Sequence, residues 1–313
     1  MVVHRDTGQI EHGKFRDLIE LIPTGDTIVL NTTRVFHARL LGTRDSGSPA
    51  EVLLLKALGD DRYEAMVHPG GKLKPGRRVH VSPDLEVEIL ESTERRTRIV
   101  RLRSPLPVET AIERYGHVPL PPYIERGDEP DDEERYQTVY ADEPGSVAAP
   151  TAGLHFTSGM LDALASKGVE RADVVLHVGA GTFKPVEVDD PADHLMHEES
   201  YSISAETADA LTATRARGGK LWVVGTTSVR TLESAVTIEG TFNEKSGETQ
   251  IFIRPPYRFK AVDHLITNFH LPRSTLLMLV AACAGYELTI RAYKEAIDKG
   301  YRFYSYGDAM LLL

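Results

Sequence analysis

The chain has 313 residues, of which 41% are hydrophobic and 26% are charged, and its formal net charge is −10. That length can bury a full core and suffices for two domains. A single cysteine excludes an internal disulfide framework. The opening residues carry charge too early for a secretory signal, and the apolar run at 276–284 is shorter than the about 20 residues of a membrane helix. We therefore expect a cytoplasmic protein with no membrane partner.

The first half of the chain predicts closely spaced strands. A strand at 27–30 is followed by β-rich or alternating runs, separated by turn residues such as Pro69-Gly70-Gly71, at 51–56, 63–68, 77–81, 85–90 and 97–102. Because no helical pattern separates them, these runs favour an antiparallel meander closed into a small barrel. A short helix at 108–115 and a proline-rich extended segment at 118–124 follow.

The second half changes period. Helical patterns at 158–167, 206–217, 228–236, 275–284 and 288–299 alternate with β-rich runs at 173–178, 221–224, 250–253 and 262–266. This alternation is typical of an α/β sheet flanked by helices. The acidic stretch at 128–134 predicts an exposed loop.

The predicted fold class is therefore α/β, a flanked-sheet domain with an inserted antiparallel β-barrel domain. The α/β domain is expected to comprise residues 1–36 and 126–313, and the barrel residues 37–125.

Charge alone argues against a nucleic-acid partner, because phosphate contacts normally come from an excess of Lys and Arg. The distribution of charge leaves the question open. A local basic cluster is formed by Lys72, Lys74, Arg77, Arg78 and His80. The cluster is either a basic face on an acidic protein or a solvated turn and edge strand.

The glycine loop HVGAGTF at 177–183 follows a predicted strand. Lys184 and Pro185 stand where a dinucleotide fingerprint needs a third glycine and the start of a helix, so that motif is excluded. Gly179 and Gly181 either let the backbone approach a ligand or form a simple tight turn.

The segment GTTSVR at 225–230 follows the apolar strand at 221–224 and precedes a helical pattern. Backbone N–H groups at a helix start, hydroxyl groups and one arginine suit a carboxylate or a phosphate. The alternative is plain N-capping by a threonine or serine. Its position at the end of an expected parallel strand favours ligand binding.

Histidines and carboxylates concentrate in several short loops. HLMHEE at 194–199 places two histidines and two carboxylates within six residues, which resembles a metal cluster. Since no cysteine ligands and no His-Glu-x-x-His helix accompany it, hydrogen-bonding or acid/base roles are favoured and no metal is expected. Other loops contribute His155, His270 and Asp308.

The chain resembles the S-adenosylmethionine:tRNA ribosyltransferase-isomerases of queuosine biosynthesis along nearly its whole length. The matching motifs occur in the same order: NTTR at 31–34, KLKPG at 72–76, VPLPPYI at 118–124, ERYQTVY at 134–140, APTAGLHF at 149–156, HVGAGTF at 177–183, HLMHE at 194–198, VGTTSVRTLES at 224–234, TNFHLP at 267–272 and SYGDAM at 305–310.

The resemblance implies an α/β domain with an inserted barrel and a ribosyl transfer from S-adenosylmethionine. The acceptor would be the aminomethyl group of 7-aminomethyl-7-deazaguanine at the wobble position of a tRNA with a GUN-type anticodon. Epoxyqueuosine, adenine and methionine would be the products. S-Adenosylmethionine is then a co-substrate, and no further cofactor is expected.

That reaction needs a base beside the sulfonium, an acid for the departing adenine and an anion site for the methionine carboxylate. Because imidazoles and tuned carboxylates titrate near neutrality, we expect the proton transfers to involve members of the set His155, His177, His197, Glu198, His270 and Asp308. The expected carboxylate site is the turn with Thr226, Thr227, Ser228 and Arg230. Other expected substrate contacts are Asn31, Arg34, Thr151, Gly179, Gly181, Asn268 and Tyr306. Loop tyrosines and phenylalanines would hold the base once it leaves its stack.

Two other functions stay open: an S-adenosylmethionine-dependent RNA methyltransferase, and a non-catalytic RNA-binding protein with an OB-like barrel. The loop histidines and carboxylates, and the lack of an aromatic stripe in the barrel, disfavour the second. Family members usually carry an opening segment before the stretch that matches residues 2–8, so we expect either a start upstream or one missing element. The oligomeric state stays open, with a monomer as one option.

Overall fold

The computed structural model describes residues 1–179, 181, 186 and 188–313. The contacts within it divide the chain into two units. The α/β unit comprises Met1–Thr33, Gln137–Glu143 and Ala149–Leu313, and the barrel unit comprises Arg34–Tyr136 and Pro144–Ala148. One unit contains a large mixed sheet and the other a closed barrel, which confirms the predicted fold class.

The strands, in chain order, are β1 (Val2–Val3), β2 (Ile10–Glu11), β3 (Thr27–Asn31), β4 (Thr33–Val35), β5 (Arg39–Arg44), β6 (Pro49–Gly59), β7 (Arg62–His68), β8 (Arg78–Ser82), β9 (Leu85–Ser92), β10 (Arg98–Arg103), β11 (Glu143–Ser146), β12 (Glu170–Leu176), β13 (Glu199–Ile203), β14 (Leu221–Val224), β15 (Lys245–Thr249), β16 (His264–Asn268) and β17 (Ala309–Leu312). The α-helices are α1 (Leu18–Leu21), α2 (Val108–Tyr115), α3 (Asp132–Arg135), α4 (Ser158–Ser166), α5 (Ala205–Ala216), α6 (Gly225–Ala235), α7 (Thr275–Ala284) and α8 (Tyr286–Asp298). Short 3-10 helices lie at Phe15–Asp17, Thr151–His155 and Pro191–Asp193.

The sheet of the α/β unit has the strand order β15-β13-β12-β3-β14-β16-β17-β1-β2. Its centre, β12-β3-β14-β16, is parallel. β3 and β14 are buried at every position, as expected for central parallel strands that are covered on both faces. One face packs against α1, α4 and the 3-10 helix that precedes each of them. The core between them contains Leu18, Ile28, Leu164, Trp222 and Ile266.

Side-chain caps begin the helices that flank this sheet. Thr157, Ser204 and Ser274 each accept a hydrogen bond from a backbone N–H of the first turn of α4, α5 and α7. Such caps satisfy donors that a helix start leaves unpaired. Within the described part of the chain, no single helix combines the length and apolar character needed to cross a membrane, whereas α7 and α8 meet that test only as a pair bent by 114°.

The barrel closes in the strand order β10-β7-β6-β5-β8-β9. Polarity alternates along the strands, so every second side chain points into the barrel core. These core side chains include Leu40, Val52, Leu54, Val87 and Ile89. A Cβ on Gly42 would collide with the backbone carbonyl of His80. β5 and β8 approach each other closely where the barrel closes, so this position requires glycine.

Most predicted elements are confirmed, but one is wrong and one is confirmed only in part. Residues 250–253 form no strand; the polar edge strand β15 precedes them, and their apolar side chains line a cavity instead. The predicted exposed loop at 128–134 contains the start of α3, whose Asp132 is buried and accepts a hydrogen bond of 2.9 Å from Arg126. In both segments the observed structure depends on contacts in the folded chain, which the local sequence pattern does not reveal.

Candidate active site

The predicted loops meet at one edge of the α/β sheet. β12, β3, β14 and β16 run parallel as neighbours, so their carboxyl ends lie side by side. Open α/β sheets bind ligands at this edge. The segments that follow these strands include 177–179, 225–230 and 268–270. Of the predicted glycine loop, Ala180, Thr182 and Phe183 lie outside the described residues, as do Lys184 and Pro185 after it.

His155 ends the 3-10 helix Thr151–His155 and lines a cavity of about 650 Å³. The ring of Phe15 stacks on the imidazole, with centroids 4.8 Å apart. Asp308 and Tyr301 line the same cavity. The volume falls in the range of small-molecule sites, about 300–1,000 Å³.

The imidazole of His155 is held in its neutral form. Burial lowers its pKa below the ordinary value, and the neighbouring Asn268 and Asp308 oppose that shift. Its Nε2 has no hydrogen-bond partner among the described residues. A neutral imidazole whose nitrogen has no hydrogen-bond partner can accept a proton from a molecule that reaches it.

Asn268 and Asp308 are positioned by the backbone around them. Asn268 ends β16, and its Nδ2 donates to the carbonyl oxygen of Tyr304 at 2.8 Å. Asp308 accepts a hydrogen bond of 2.7 Å from the backbone N–H of Arg302, whose guanidinium lies 3.4 Å from its other oxygen. Both side chains are thus oriented before any ligand binds.

His270 and His177 lie at the same edge, each beside a threonine. The Nε2 of His270 lies 2.8 Å from the hydroxyl of Thr267, and burial lowers the pKa of His270 to about 4. Thr267 points to the opposite face of β16 from Asn268, because side chains alternate along a strand. The Nδ1 of His177 lies 2.7 Å from the hydroxyl of Thr33. Burial lowers the pKa of His177, against the charges of two glutamates.

Arg230 and Glu199 form an ion pair that is almost completely buried. Their side chains are 7% and 4% exposed, and Nη1 of the guanidinium donates to the carboxylate. Glu199 also accepts a hydrogen bond of 3.0 Å from the backbone N–H of Gly179. The Nε and Nη2 of Arg230 have no partner among the described residues. A buried guanidinium with unpaired donors is costly unless an acceptor reaches it.

A second cavity, of about 30 Å³, lies against this pair. It has room for a water or a carboxylate group rather than a whole nucleoside. His197, Phe252 and Leu276 help to line it, and none of its lining residues belongs to those described around His155. A Cβ on Gly181 would collide with the His197 ring, so this wall of the cavity requires glycine.

The turn at 225–230 begins α6, with Gly225 at a φ of 84°. Ser228 is buried, and its hydroxyl donates to the carbonyl oxygen of Val224 at 2.7 Å. Thr226 is buried, and the hydroxyl of Thr227 has no partner within the described part of the chain. Of the predicted anion-binding side chains, Arg230 and Thr227 therefore offer open donors.

The other predicted site residues have varied surroundings. Asn31 is buried, and its side chain pairs with the backbone N–H and carbonyl of Leu176 at 3.1 and 3.0 Å. Thr151 opens its 3-10 helix, and Tyr306 lies partly buried in the turn before β17. Arg34 is exposed and belongs to the barrel unit. Glu198 is exposed and accepts a hydrogen bond of 3.2 Å from the side chain of Gln250.

Known proteins match the chain from end to end. The model of the queuosine biosynthesis protein family matches residues 1–312. The chain belongs to this family. An S-adenosylmethionine:tRNA ribosyltransferase-isomerase of Symbiobacterium thermophilum is 55% identical over 100% of this chain and 92% of the relative. The protein of that name from Heliobacterium modesticaldum is 50% identical with the same coverage.

A solved structure supports the same assignment. The crystal structure of an S-adenosylmethionine tRNA ribosyltransferase from Thermotoga maritima is 39% identical, with a TM-score of 0.55. The alignment covers 100% of this chain and 91% of that chain.

Two residues of this family member were missed by sequence reasoning. Glu199 follows the predicted Glu198 and, unlike it, is buried with Arg230. The alternation of buried and partly buried residues along β13 is the local signal that could have separated them. Phe15, which stacks on His155, lies 140 residues away in the chain and gives no local signal. Among the described residues, no three His, Cys, Asp or Glu side chains are grouped so that they could hold a metal ion.

Proposed function

We propose that this chain transfers and isomerises the ribosyl group of S-adenosylmethionine onto 7-aminomethyl-7-deazaguanine. The acceptor base is at the wobble position of a tRNA with a GUN-type anticodon. The products are epoxyqueuosine in tRNA, adenine and methionine.

One observation carries the proposal. Relatives named S-adenosylmethionine:tRNA ribosyltransferase-isomerase match the whole chain at 50% identity or more. The match therefore spans every loop at the carboxyl edge of the sheet, and not the fold alone.

His155 is assigned as the base that removes a proton from the carbon beside the sulfonium. Its support is a buried Nε2 without a partner among the described residues, on a side chain that lines a cavity of about 650 Å³, together with a pKa that burial lowers. The lowered pKa keeps the imidazole unprotonated at neutral pH, which a general base requires. Asp308, in the same cavity, is the candidate that protonates adenine as it leaves.

Arg230 is assigned to the methionine carboxylate. Its unpaired Nε and Nη2 are arranged as a fork that fits two carboxylate oxygens. Glu199 holds the guanidinium from the other side, so the fork faces a fixed direction. The hydroxyl of Thr227 is a further donor near the start of α6.

The test is to incubate the purified chain with S-adenosylmethionine and tRNA that contains 7-aminomethyl-7-deazaguanine. Mass spectrometry of the nucleosides and small products then reads the chemistry. Epoxyqueuosine with one adenine and one methionine per nucleoside is expected. S-Adenosylhomocysteine with a methylated nucleoside would instead show an RNA methyltransferase, and tRNA binding without any product would leave a binding protein.

A further inference from the structure

One end of the barrel gathers basic residues from separate loops. The end of β7, the start of β8, the end of β9 and the start of β10 lie together, because these strands pair antiparallel. The loop at 69–77 and the turn at 93–97 therefore project from the same end. They bring together the cations defined here as the basic end: Lys72, Lys74, Arg77, Arg95 and Arg96.

All five of these side chains are exposed. Within the described ranges, none of them forms an ion pair, whereas nearby Arg78 pairs with Glu86 at 3.2 Å. Exposed cations without acidic partners repel one another, and an acidic chain of net charge −10 has carboxylates available to neutralise them. The segments 69–77 and 93–97 contain these five cations and one carboxylate, the exposed Glu94, and this excess of positive charge favours an external anion.

The loop that presents the lysines is held in place. Leu73 is fully buried in the barrel core between the two exposed lysines. Arg98 donates from Nε to the carbonyl oxygen of Leu73 and from Nη2 to that of Gly70, both at 3.0 Å. It also donates to the backbone of the 93–97 turn, at 2.9 Å to the carbonyl oxygen of Thr97. Arg98 thus joins both segments of the basic end, so little conformational entropy is lost when a ligand binds.

The opposite end of the barrel has charges of both signs, with Arg62 lying 3.5 Å from Asp60. Asp60 and Asp61 occupy the β6–β7 turn, and Asp84 lies in the β8–β9 turn. α2 packs at that end, where the hydroxyl of Tyr115 donates to Asp84 at 2.8 Å. A long polyanion would therefore be attracted more strongly to the basic end than to this one.

We propose that the basic end of the barrel contacts the phosphate backbone of tRNA. This inference rests on the proposed function, which requires a tRNA substrate. The end has exposed cations, and neither of its segments, 69–77 and 93–97, contains an aromatic residue, so it fits phosphates rather than bases. It would contribute affinity and orientation, while the chemistry stays at the carboxyl edge of the α/β sheet.

The experiment compares the full chain with a Lys72→Gln/Lys74→Gln variant. Binding of fluorescently labelled tRNA is measured by anisotropy over a range of salt concentrations, and steady-state kinetics are measured with both substrates. We expect the variant to bind tRNA about tenfold more weakly, with a salt slope smaller by about 1 to 2, since each lost phosphate contact removes about 0.7–0.9. The KM for tRNA rises in parallel, while kcat and the KM for S-adenosylmethionine stay unchanged.

A matched control removes two exposed cations elsewhere, in Arg114→Gln/Lys294→Gln. We expect it to keep the wild-type salt slope. An equal loss in the control, or an unchanged slope in the lysine variant, overturns the inference and leaves the proposed function intact. Weaker binding to anionic lipid vesicles at unchanged tRNA affinity would also overturn it, in favour of a membrane. If the wild-type chain makes no epoxyqueuosine, the proposed function fails, and the anisotropy comparison still decides the basic end.

Discussion

The two cavities of the α/β unit differ in size and in the state of their buried polar groups. The cavity at His155 measures about 650 Å³ and is lined by an imidazole whose buried Nε2 has no partner among the described residues. The cavity at Arg230 measures about 30 Å³ and has a permanent cation, already paired on one side with Glu199. The first suits a proton transfer on a sizeable ligand, and the second suits one small anionic group.

The difference follows from what burial does to each group. A histidine responds to loss of water by staying neutral, so burial tunes its proton affinity. An arginine keeps its charge in proteins, so it requires a carboxylate beside it when it is buried. The site at His155 can therefore transfer a proton, whereas the site at Arg230 can only bind and orient an anionic group.

The largest expected effect tests the proton-transfer side of this comparison. In His155→Gln the open nitrogen at the cavity is lost, so kcat should fall about 100- to 10,000-fold. The KM for S-adenosylmethionine should change little, because Arg230 is untouched. Single-turnover product formation measures the chemical step, and thermal unfolding serves as the control for folding. Turnover within threefold of wild type would remove His155 as the base.

The binding side is tested by breaking the buried pair. Arg230→Met leaves the Glu199 carboxylate buried without its cation, which should lower the free energy of unfolding by about 3–5 kcal/mol. The double variant Arg230→Met/Glu199→Gln should recover most of that loss, because no buried charge is left. Both variants should raise the KM for S-adenosylmethionine. Urea denaturation separates the effects, and a double variant as unstable as the single one would contradict the pairing.

Acid pH separates the two kinds of buried group, because a histidine such as His270 takes up a proton in that range and the guanidinium of Arg230 keeps its charge. The folded pKa of His270 is about 4, below the ordinary 6.5. The unfolded chain therefore binds a proton more readily, and the free energy of unfolding should fall by about 2 kcal/mol as the pH drops from 6.5 to about 4. His270→Gln should flatten that part of the curve, and an unchanged curve would exclude His270 as its cause.

The smallest effect separates two adjacent glutamates. Glu198 is exposed and bonded to Gln250, so Glu198→Gln should change the free energy of unfolding by less than about 0.5 kcal/mol. Its kcat and KM should stay near wild type. A kcat lowered tenfold would instead return Glu198 to the set of acid/base groups.

Local pattern was sufficient for five of the six barrel strands, all except β5, and for most helices. Buried and partly buried residues alternate over the first six positions of β9, and α2 occupies the predicted residues. Both elements could be predicted because they depend on the period of nearby side chains. β1 and β17 were not predicted. They are two and four residues long and pair with each other from the two ends of the chain, as in Val2 beside Leu311. Such short strands exist through their partners, so local sequence carries little sign of them.

In the candidate site, too, some features were predicted from local sequence and others depend on distant partners. The segments at 177–183 and 225–230 were considered for ligand binding because they follow β-rich runs, and 268–270 because it places a histidine in a short loop; the parallel sheet brings their described residues to one edge. Which of their side chains are open to a ligand could not be predicted. Asn31 was expected to bind substrate, and its amide is bonded to the backbone of Leu176 in the neighbouring strand. Its role in substrate binding stays a prediction.

The sequence by itself determined the family, the order of the motifs and the class of chemistry, because long collinear motifs and local periodicity are properties of the chain alone. Only the tertiary structure decided which histidine lines a large cavity and which glutamate is buried with a cation. Burial and partnership depend on residues far apart in the chain, such as Phe15 beside His155 and Glu199 beside Arg230. The pKa of a group and the cost of its charge are set by those neighbours.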